Sequence, residues 1–532
     1  MKKSLILMFI CSSFLLQAQT GLKIFNVRDF GAAGDKVQND QASIQKAIDA
    51  CESAGGGMVY LPPGKYLSGT LFLKSNIRFY LEAGATLYSI KLKDAFQKDA
   101  LIYGEDLENI TVEGRGVIDG EAKYEWRIND IEDDFIRPNL EIMTSLGKSP
   151  VRSFPLKDQF GKLVLLLRCK NVVIRGLSFI NSPSWTIHPY GCERMIIDGV
   201  YISSSLKDGV WADGIDPDGC KDLRISNCTI ETGDDALVFY SMNWFGPALP
   251  CENITVTNCR LTSSSSAIKF CDGNMNAVRN VTIDNCVISN SNRGIAFMDF
   301  DGGTVSDVTI SNMVIDCTRR NWFWWGDGDP LHFNVKRRSE VHKSIKPEND
   351  KNPAGKIRRV LLTNIIARGT GSCMCNGHPD NWLEDITIDN FRFYLSHDPS
   401  AQYDKAVDAI SFKQVRNLKL KDVEIVRLTP EFKNWQNALH LEDIDGLVLD
   451  NFKAMPLAGN PGLPLVNMKN VQNAVISNSV PGAGVNTFLQ VNGENSGNIL
   501  LLNNDFTGVK TPWKDLSGKK VIRSAVQQVT QH

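Results

Sequence analysis

Asparagine residues recur along this chain at a near-constant interval, and this repeat limits the possible folds more than any other feature. Most intervals are 26 to 31 residues, and two longer ones, of 52 and 61 residues, are about double. Short runs of alternating β-branched residues accompany each copy, which is typical of one coil of a parallel β-helix. The repeated residues are Asn227, Asn258, Asn285, Asn312, Asn364, Asn390, Asn451, Asn478 and Asn504.

Weaker copies of the repeat lie around Gly176, Gly199 and Asp422, so the period holds over most of the chain. Asn or Gly at a turn suits a left-handed backbone, and stacked coils would align the Asn side chains in an amide ladder. We therefore predict an all-β fold, with a single parallel β-helix domain at 22–508 and a mostly polar, peripheral C-terminal tail at 509–532.

The N-terminal end of such a solenoid needs a cover, and one segment has the pattern for it. Asp40 to Ala54 carries apolar residues at helical spacing and is followed directly by Gly55-Gly56-Gly57. This pattern predicts a short amphipathic helix that caps the first coil.

The first 18 residues are predicted to be a secretory signal peptide. Lys2 and Lys3 precede an apolar run from Leu5 to Leu16, and small and polar residues follow. A lipid anchor at Cys11 is disfavoured because the residues before it are bulky. No later stretch approaches the ~20 apolar residues of a membrane helix. We expect an exported protein, periplasmic or extracellular, without a membrane span.

The cysteines and the charge balance exclude other classes of protein. Cys228, Cys259 and Cys286 each follow a repeat Asn, so we expect them to stack in the core instead of forming a disulfide framework. Cys373 and Cys375 lack a second ligand pair at zinc spacing. The net charge of −2 argues against nucleic-acid binding. No Gly-rich loop leads from a strand into a helix, so no cofactor is expected.

Two acidic groups stand out against the repeat. Asp213 precedes the pair Asp234-Asp235 by 21 residues, about one coil, which would bring the three carboxylates to one face. Like charges so close raise the pKa of at least one carboxyl group, which supplies a protonated acid beside an ionised base. Glycoside hydrolysis needs that pair, and a carboxyl separation of ~6.5–9.5 Å predicts inversion. Turn chemistry and calcium binding remain alternatives at this point.

Several longer segments resemble glycoside hydrolase family 28, the polygalacturonase family. They are FNVRDFGAAGDKVQNDQASIQKAI, GGGMVYLPPGKYLSGTLFLKSNIRFYLEAGATL, NSPSWTIHP and DGIDPDGCKDLRISNCTIETGDDAL, and the similarity covers roughly residues 25–316. The resemblance implies a right-handed parallel β-helix and an inverting, metal-free hydrolase. It also implies that Asp234 is the general acid and that Asp213 and Asp235 hold and deprotonate the attacking water.

Two basic motifs of that family are missing from this chain. Thr262 to Ser265 stand where the family has Gly-His-Gly, and Ala296-Phe297-Met298 stand where it has Arg-Ile-Lys. In polygalacturonases those basic side chains contact the carboxylate of the uronate substrate. We therefore consider other substrate-binding residues, which are Trp185, His188, Lys269, Arg293, Trp324, Trp325 and Asp329.

These candidate residues are chosen for different reasons. Lys269 and Arg293 lie near the missing motifs in the repeat, and Trp185 and His188 precede Asp213 by about one coil. Trp324, Trp325 and Asp329 belong to an insertion whose aromatic rings could stack on sugars.

The sequence thus predicts a monomeric hydrolase that acts on pectic or related polysaccharides. Insertions at Tyr124 to Phe154 and Trp322 to Pro353 are long enough to close one end of a groove, which favours exo action. A calcium-dependent polysaccharide lyase and a catalytically inactive carbohydrate-binding β-helix are the alternatives.

Overall fold

Parallel strands from successive coils stack on one another in a computed structural model of the chain, which is a right-handed parallel β-helix. The structure describes residues 22–91, 95–122, 126–128, 145, 153–155, 161–270, 272–320, 326–341, 345–397, 407–428, 435–457 and 462–525. The predicted signal peptide, Cys11, Trp324, Trp325 and most of the Tyr124–Phe154 insertion lie outside these residues.

Three stacks of strands form the walls of the helix. The first stack contains Ile24–Asn26, Gly57–Leu61, Ile77–Leu81, Glu108–Gly114, Lys170–Arg175, Glu193–Asp198, Lys221–Ser226, Cys251–Thr257, Ala277–Asp284, Thr304–Cys317, Lys356–Gly369, Leu383–Leu395, Ile410–Arg427, Leu439–Asp450, Pro464–Ser477, Gly497–Leu502 and Ile522–Ala525. The second contains Asp35–Asn39, Gly64–Ser68, Ala85–Ser89, Val117–Asp119, Ser178–Ile180, Tyr201–Ser203, Thr229–Thr232, Arg260–Ser263, Val287–Ser291 and Lys453–Ala454, and several long strands of the first stack continue into it.

The third stack carries the candidate site and is called the cleft stack below. Its strands are Leu71–Phe72, Ala100–Glu105, Lys162–Leu167, Ile187–Tyr190, Leu237–Phe239, Ser266–Phe270, Arg293–Asp299, Asp329–Val335, Cys373–Asn376, Thr487–Asn492 and Thr511–Asp515, and the N-terminal parts of three long strands complete it. Outside the three stacks, Trp126–Ile128 pairs with Ser153–Pro155 in an antiparallel hairpin.

The predicted cap is present as helix α1, Gln41–Ser53, which buries Ile44, Ala47, Ile48 and Cys51 at the N-terminal end of the solenoid. A second short helix, α2, spans Arg338–Val341, and 3-10 turns span Val27–Phe30 and Pro347–Asn349. Among the described residues, neither helix has the length and hydrophobicity of a transmembrane span.

Aliphatic and aromatic side chains fill the interior in register. One column of the first stack runs through Ile197, Ile225, Val256, Ile283 and Ile310, all buried. Behind the cleft stack, the rings of Phe239, Phe270, Phe297 and Phe333 follow one another with centroids 5.1, 4.3 and 4.3 Å apart. This dry, regular packing gives the cleft stack a rigid floor.

The cysteine prediction is confirmed for the described residues. Cys228, Cys259 and Cys286 are buried at equivalent positions of consecutive coils, and the Cys259 amide donates to Cys286 Sγ at 3.4 Å. All the described cysteines are free thiols.

The C-terminal boundary differs from the prediction. Thr511–Asp515 and Ile522–Ala525 pair in register with the preceding coil, so the β-helix continues past residue 508. These strands can be polar because none of their residues is fully buried.

The repeated asparagines occupy the corner between the first two stacks in the left-handed conformation, as expected. Asn364, with φ of 55°, donates to Asn312 at 3.2 Å and accepts from Asn390 at 2.9 Å. In the last coil that carries the repeat, Asn503, not Asn504, takes this conformation, with φ of 53°. Asn504 instead accepts a hydrogen bond from the Ser479 amide.

We expect Asn364→Ala to lower the free energy of unfolding by about 1–2 kcal/mol, because alanine is strained at positive φ and makes no ladder bond. Asn364→Gly should cost less, since glycine adopts this conformation without strain. Denaturant unfolding followed by circular dichroism measures both variants. Equal losses in the two would show that backbone strain contributes nothing here.

Candidate active site

The cleft stack brings the three predicted carboxylates together. Ile187, Ile215 and Leu237 are paired in register across successive coils. Asp213 and Asp235 each lie two residues before a paired position, so they are neighbours on adjacent coils. Asp234 immediately precedes Asp235, and one oxygen from each of the three carboxylates lies within 4.8 Å of the others. We call Asp213, Asp234 and Asp235 the carboxylate cluster.

Each member of the cluster has different hydrogen-bond partners. Asp234 accepts from the Trp211 amide at 2.8 Å and from the Asp235 amide at 3.0 Å. Asp235 accepts from the Ser266 amide at 2.8 Å and from Lys269 Nζ at 2.9 Å. Asp213 Oδ1 is buried and has no hydrogen-bond partner among the described residues.

The environment of the cluster favours protonation. Burial raises the pKa of Asp213 well above its usual range, and the charges of Asp234 and Asp216 raise it further. Burial, together with the neighbouring Asp235, raises the pKa of Asp234 to about 7, although Lys269 opposes this shift. Near neutral pH, the cluster can thus present a protonated carboxyl group beside an ionised one.

A cavity of about 550 Å³ opens over the cluster, and aromatic rings form one of its walls. Trp185 stacks on Tyr240, with ring centroids 4.8 Å apart, and on Trp244, with centroids 4.9 Å apart. Trp244 and Trp211 remain about half exposed at the cavity. Flat aromatic faces beside carboxylates are the usual components of a sugar-binding cleft.

His188 does not line this cavity, contrary to the prediction. Its side chain is fully buried beneath Trp185 and Phe245, and its Nε2 lies 3.7 Å from Asp218 Oδ2. Burial lowers the pKa of His188 well below its usual range. The spacing of about one coil did place His188 on the correct face, but Trp185 covers it.

Arg293 and Asp329 also lie outside the cavity lining. Arg293 pairs with Ser266 in register and Asp329 with Arg293, so they lie two and three coils beyond Asp235. Both are buried, with Arg293 Nε 3.7 Å from Asp329 Oδ2, and Asp329 also contacts His332 Nδ1 at 2.9 Å. The predicted substrate-binding residues Trp324 and Trp325 fall outside the described residues.

The positions of the missing basic motifs have other contacts. The Ser263 hydroxyl donates to the backbone oxygen of Asp234 at 2.7 Å. Ala296 and Met298 pack with Phe300 and Val341 in a small apolar cluster. Helix α2, which belongs to the second insertion, is therefore anchored over the place of the missing Arg-Ile-Lys motif.

The same insertion contributes a cation to the cavity wall. Arg338 of α2 lies over the Phe300 ring at 5.4 Å and forms an ion pair with Asp301. It also lines the cavity together with Asp272. The insertion thus borders the cavity on the side of the later coils.

Sequence reasoning missed Lys162, Tyr240, Trp244 and Arg338, all of which line the cavity. A strand-by-strand alignment could have found Lys162, because it begins the apolar strand KLVLLL at the position equivalent to Trp185. Arg338 had no such signal, since its place depends on how the insertion folds.

The fold and this cluster define a class of protein that sequence comparison identifies directly. The chain belongs to glycosyl hydrolases family 28, whose model matches residues 51–320.

A curated relative that matches this chain has low sequence identity to it. A probable polygalacturonase of Vitis vinifera is 27% identical over 267 residues, which cover 45% of this chain and 49% of that protein. The chain therefore spans about half the length of this curated relative.

Two solved structures share the fold. An exopolygalacturonase from Thermotoga maritima matches with a TM-score of 0.57 and 23% identity, over 80% of this chain and 91% of that one. A family 28 exopolygalacturonase from Yersinia enterocolitica matches with a TM-score of 0.61 and 18% identity, over 81% and 79% of the two chains.

Proposed function

We propose that this protein is an exported, monomeric glycoside hydrolase that cleaves pectic or related plant cell-wall polysaccharides. The observation that carries the proposal is the carboxylate cluster, which lies buried at the base of an aromatic-walled cavity. Membership of the family and the polygalacturonase among its relatives support the choice of substrate.

In this proposal, Asp234 protonates the leaving glycosidic oxygen, because burial and its neighbours give it a pKa of about 7. Asp213 and Asp235 hold the attacking water between them and accept its proton. The Trp211 amide holds Asp234 in place, and the Ser266 amide and the Lys269 ammonium hold Asp235. Water then attacks the anomeric carbon as the bond to the leaving sugar breaks.

We include inversion of the anomeric configuration in the proposal because the family resemblance implies it. The spacing of the carboxylates does not by itself predict inversion. The three nearest oxygens lie within 4.8 Å, which is closer than the ~6.5–9.5 Å general among inverting enzymes. The stereochemistry therefore has to be measured.

Exo action is also part of the proposal. Arg338 and its partners Asp272 and Asp301 border the cavity on the side of the later coils, where a long chain would otherwise continue. Early digests of a long galacturonan should contain monomers or dimers beside undegraded chain. A ladder of mixed-length oligomers at the same stage would contradict exo action.

The calcium-dependent lyase remains the alternative, because three clustered carboxylates could hold a cation. Against it, the Lys269 ammonium already contacts Asp235 at 2.9 Å. Purified protein should release reducing sugar from a panel of pectic and other cell-wall glycans equally well with a chelator present. Loss of activity with the chelator, together with an ultraviolet-absorbing unsaturated product, would establish the lyase instead.

The pKa of Asp234 predicts that activity decreases at alkaline pH. The acid must be protonated, and the protonated fraction decreases above a pKa of about 7. We expect kcat/KM to fall roughly tenfold per pH unit above that value. Initial rates between pH 4 and 9 measure it, and a rate that stays constant up to pH 9 would exclude Asp234 as the acid.

A further inference from the structure

Lys162 occupies a defined position beside the carboxylate cluster. It lies two residues before Val164, which pairs with Ile187, so Lys162 and Trp185 are equivalent positions on adjacent coils. Asp213 is the next position in the same row. Lys162 is therefore two coils before Asp213, roughly 10 Å along the solenoid axis, and all three side chains line the cavity.

The Lys162 side chain is nine-tenths buried, yet no carboxylate of the described residues lies close to its ammonium. Within the part of the chain that the structure describes, it makes no side-chain hydrogen bond and no ion pair within 4.0 Å. Burial lowers the pKa of Lys162 below its usual range, and Asp99, Asp216 and Asp213 oppose this shift at longer range. Its Nζ lies 5.5 Å from the centroid of the Trp185 ring. Burying an unpaired ammonium is costly unless an anion binds there.

The other cations that line the cavity already have carboxylate partners. Lys269 donates to Asp235, and Arg338 pairs with Asp301. Among the described lining residues, Lys162 is thus the cation best able to meet a negatively charged substituent of the substrate.

We propose that Lys162 binds the carboxylate of a uronate sugar adjacent to the cleavage point, on the side of the earlier coils. This proposal deepens the proposed function and rests on it. The two-coil separation from Asp213, roughly 10 Å, leaves room for one sugar ring between the cleavage point and the Lys162 ammonium. Lys162 thereby supplies, from the opposite side of the cluster, the charge contact that the missing basic motifs do not.

The test compares wild type and Lys162→Met on galacturonate oligosaccharides and on their methyl esters. For the free acids, we expect KM to rise roughly 10- to 100-fold, the range for loss of a charge-assisted hydrogen bond, with kcat within about twofold. For the esters, the two proteins should be equal. Lys162→Arg should keep most of the preference for the acid.

Lys170→Met is the matched control, because Lys170 is exposed in the first stack of the same coil and pairs only loosely with Glu193, at 4.0 Å. It should behave as wild type. Thermal unfolding checks that each variant folds, and Lys162→Gln replaces the methionine variant should that one be unfolded. If Lys162→Met keeps the wild-type preference for acid over ester, the proposal is overturned.

Binding measurements distinguish failure of the proposed hydrolase function from failure of the proposed role of Lys162. If wild type cleaves none of these substrates, calorimetry with the trimeric acid and its ester compares Asp234→Asn with the double variant Asp234→Asn/Lys162→Met. A preference for the acid that disappears only in the double variant supports the role of Lys162 without turnover. Equal binding of acid and ester by both proteins overturns it.

Discussion

Asp234→Asn should lower kcat on a natural polysaccharide by about 10²- to 10⁴-fold, the range for removal of a general acid. Asparagine has nearly the same shape, and its single side-chain oxygen can keep one of the two amide bonds that Asp234 accepts, from Trp211 at 2.8 Å or from Asp235 at 3.0 Å. It cannot donate a proton to the leaving oxygen. The loss should therefore come from chemistry and not from folding. Initial rates and a thermal unfolding curve for the same preparation measure both.

A substrate with a good leaving group separates this role from a structural one. A nitrophenyl glycoside of the preferred sugar needs little protonation, so Asp234→Asn should lose far less activity on it than on the polysaccharide. Asp316→Asn, at an exposed position of a distant strand, is the matched control and should leave both rates unchanged. Equal losses of Asp234→Asn on the two substrates would show that Asp234 is not the acid.

Lys269→Met should lower kcat by roughly 10- to 100-fold, as expected for loss of a buried, charge-assisted contact. Lys269 is nine-tenths buried and holds Asp235 through a 2.9 Å contact. It also lowers the pKa of both Asp213 and Asp234. Without it, these pKa values rise, so both limbs of the pH profile should move to higher pH. The full profile of kcat/KM measures the shift.

The direction in which the pH profile shifts distinguishes an electrostatic role of Lys269 from a purely structural one. Lys269→Arg keeps the charge and should leave the profile near its wild-type position, even if altered geometry lowers the rate. Lys419→Met, on the exposed surface of a later coil, serves as the control. A drop in rate with an unmoved profile would mean that Lys269 acts only by packing.

Much of the fold follows from local sequence signals. The repeat Asn residues predict the coils because a left-handed turn strongly restricts residue type, and Asn364 and its neighbours occupy that conformation. The glycine run after Ala54 marks the end of the capping helix. The last coil was missed because its strands, such as Ile522–Ala525, lie at the end of the solenoid and lack a buried alternating pattern.

The site was predictable only where register could be counted through the chain. The 21-residue spacing places Asp213 beside Asp234 because no insertion separates them. The same counting fails for Asp329, which the sequence assigned to an insertion but which begins a strand of the cleft stack. It also cannot tell that Trp185 covers His188. Arg338 was unpredictable since its position depends on α2 packing against Met298 and Phe300.

The most direct test of the account is proton NMR of the products in the first minutes of digestion of a galacturonate oligosaccharide. We expect a new reducing end whose anomeric configuration is opposite to that of the bond cleaved, with no olefinic signal. This result would establish hydrolysis by direct attack of water at the anomeric carbon. A first product with retained configuration, or an olefinic proton from an unsaturated sugar, would contradict the proposed chemistry.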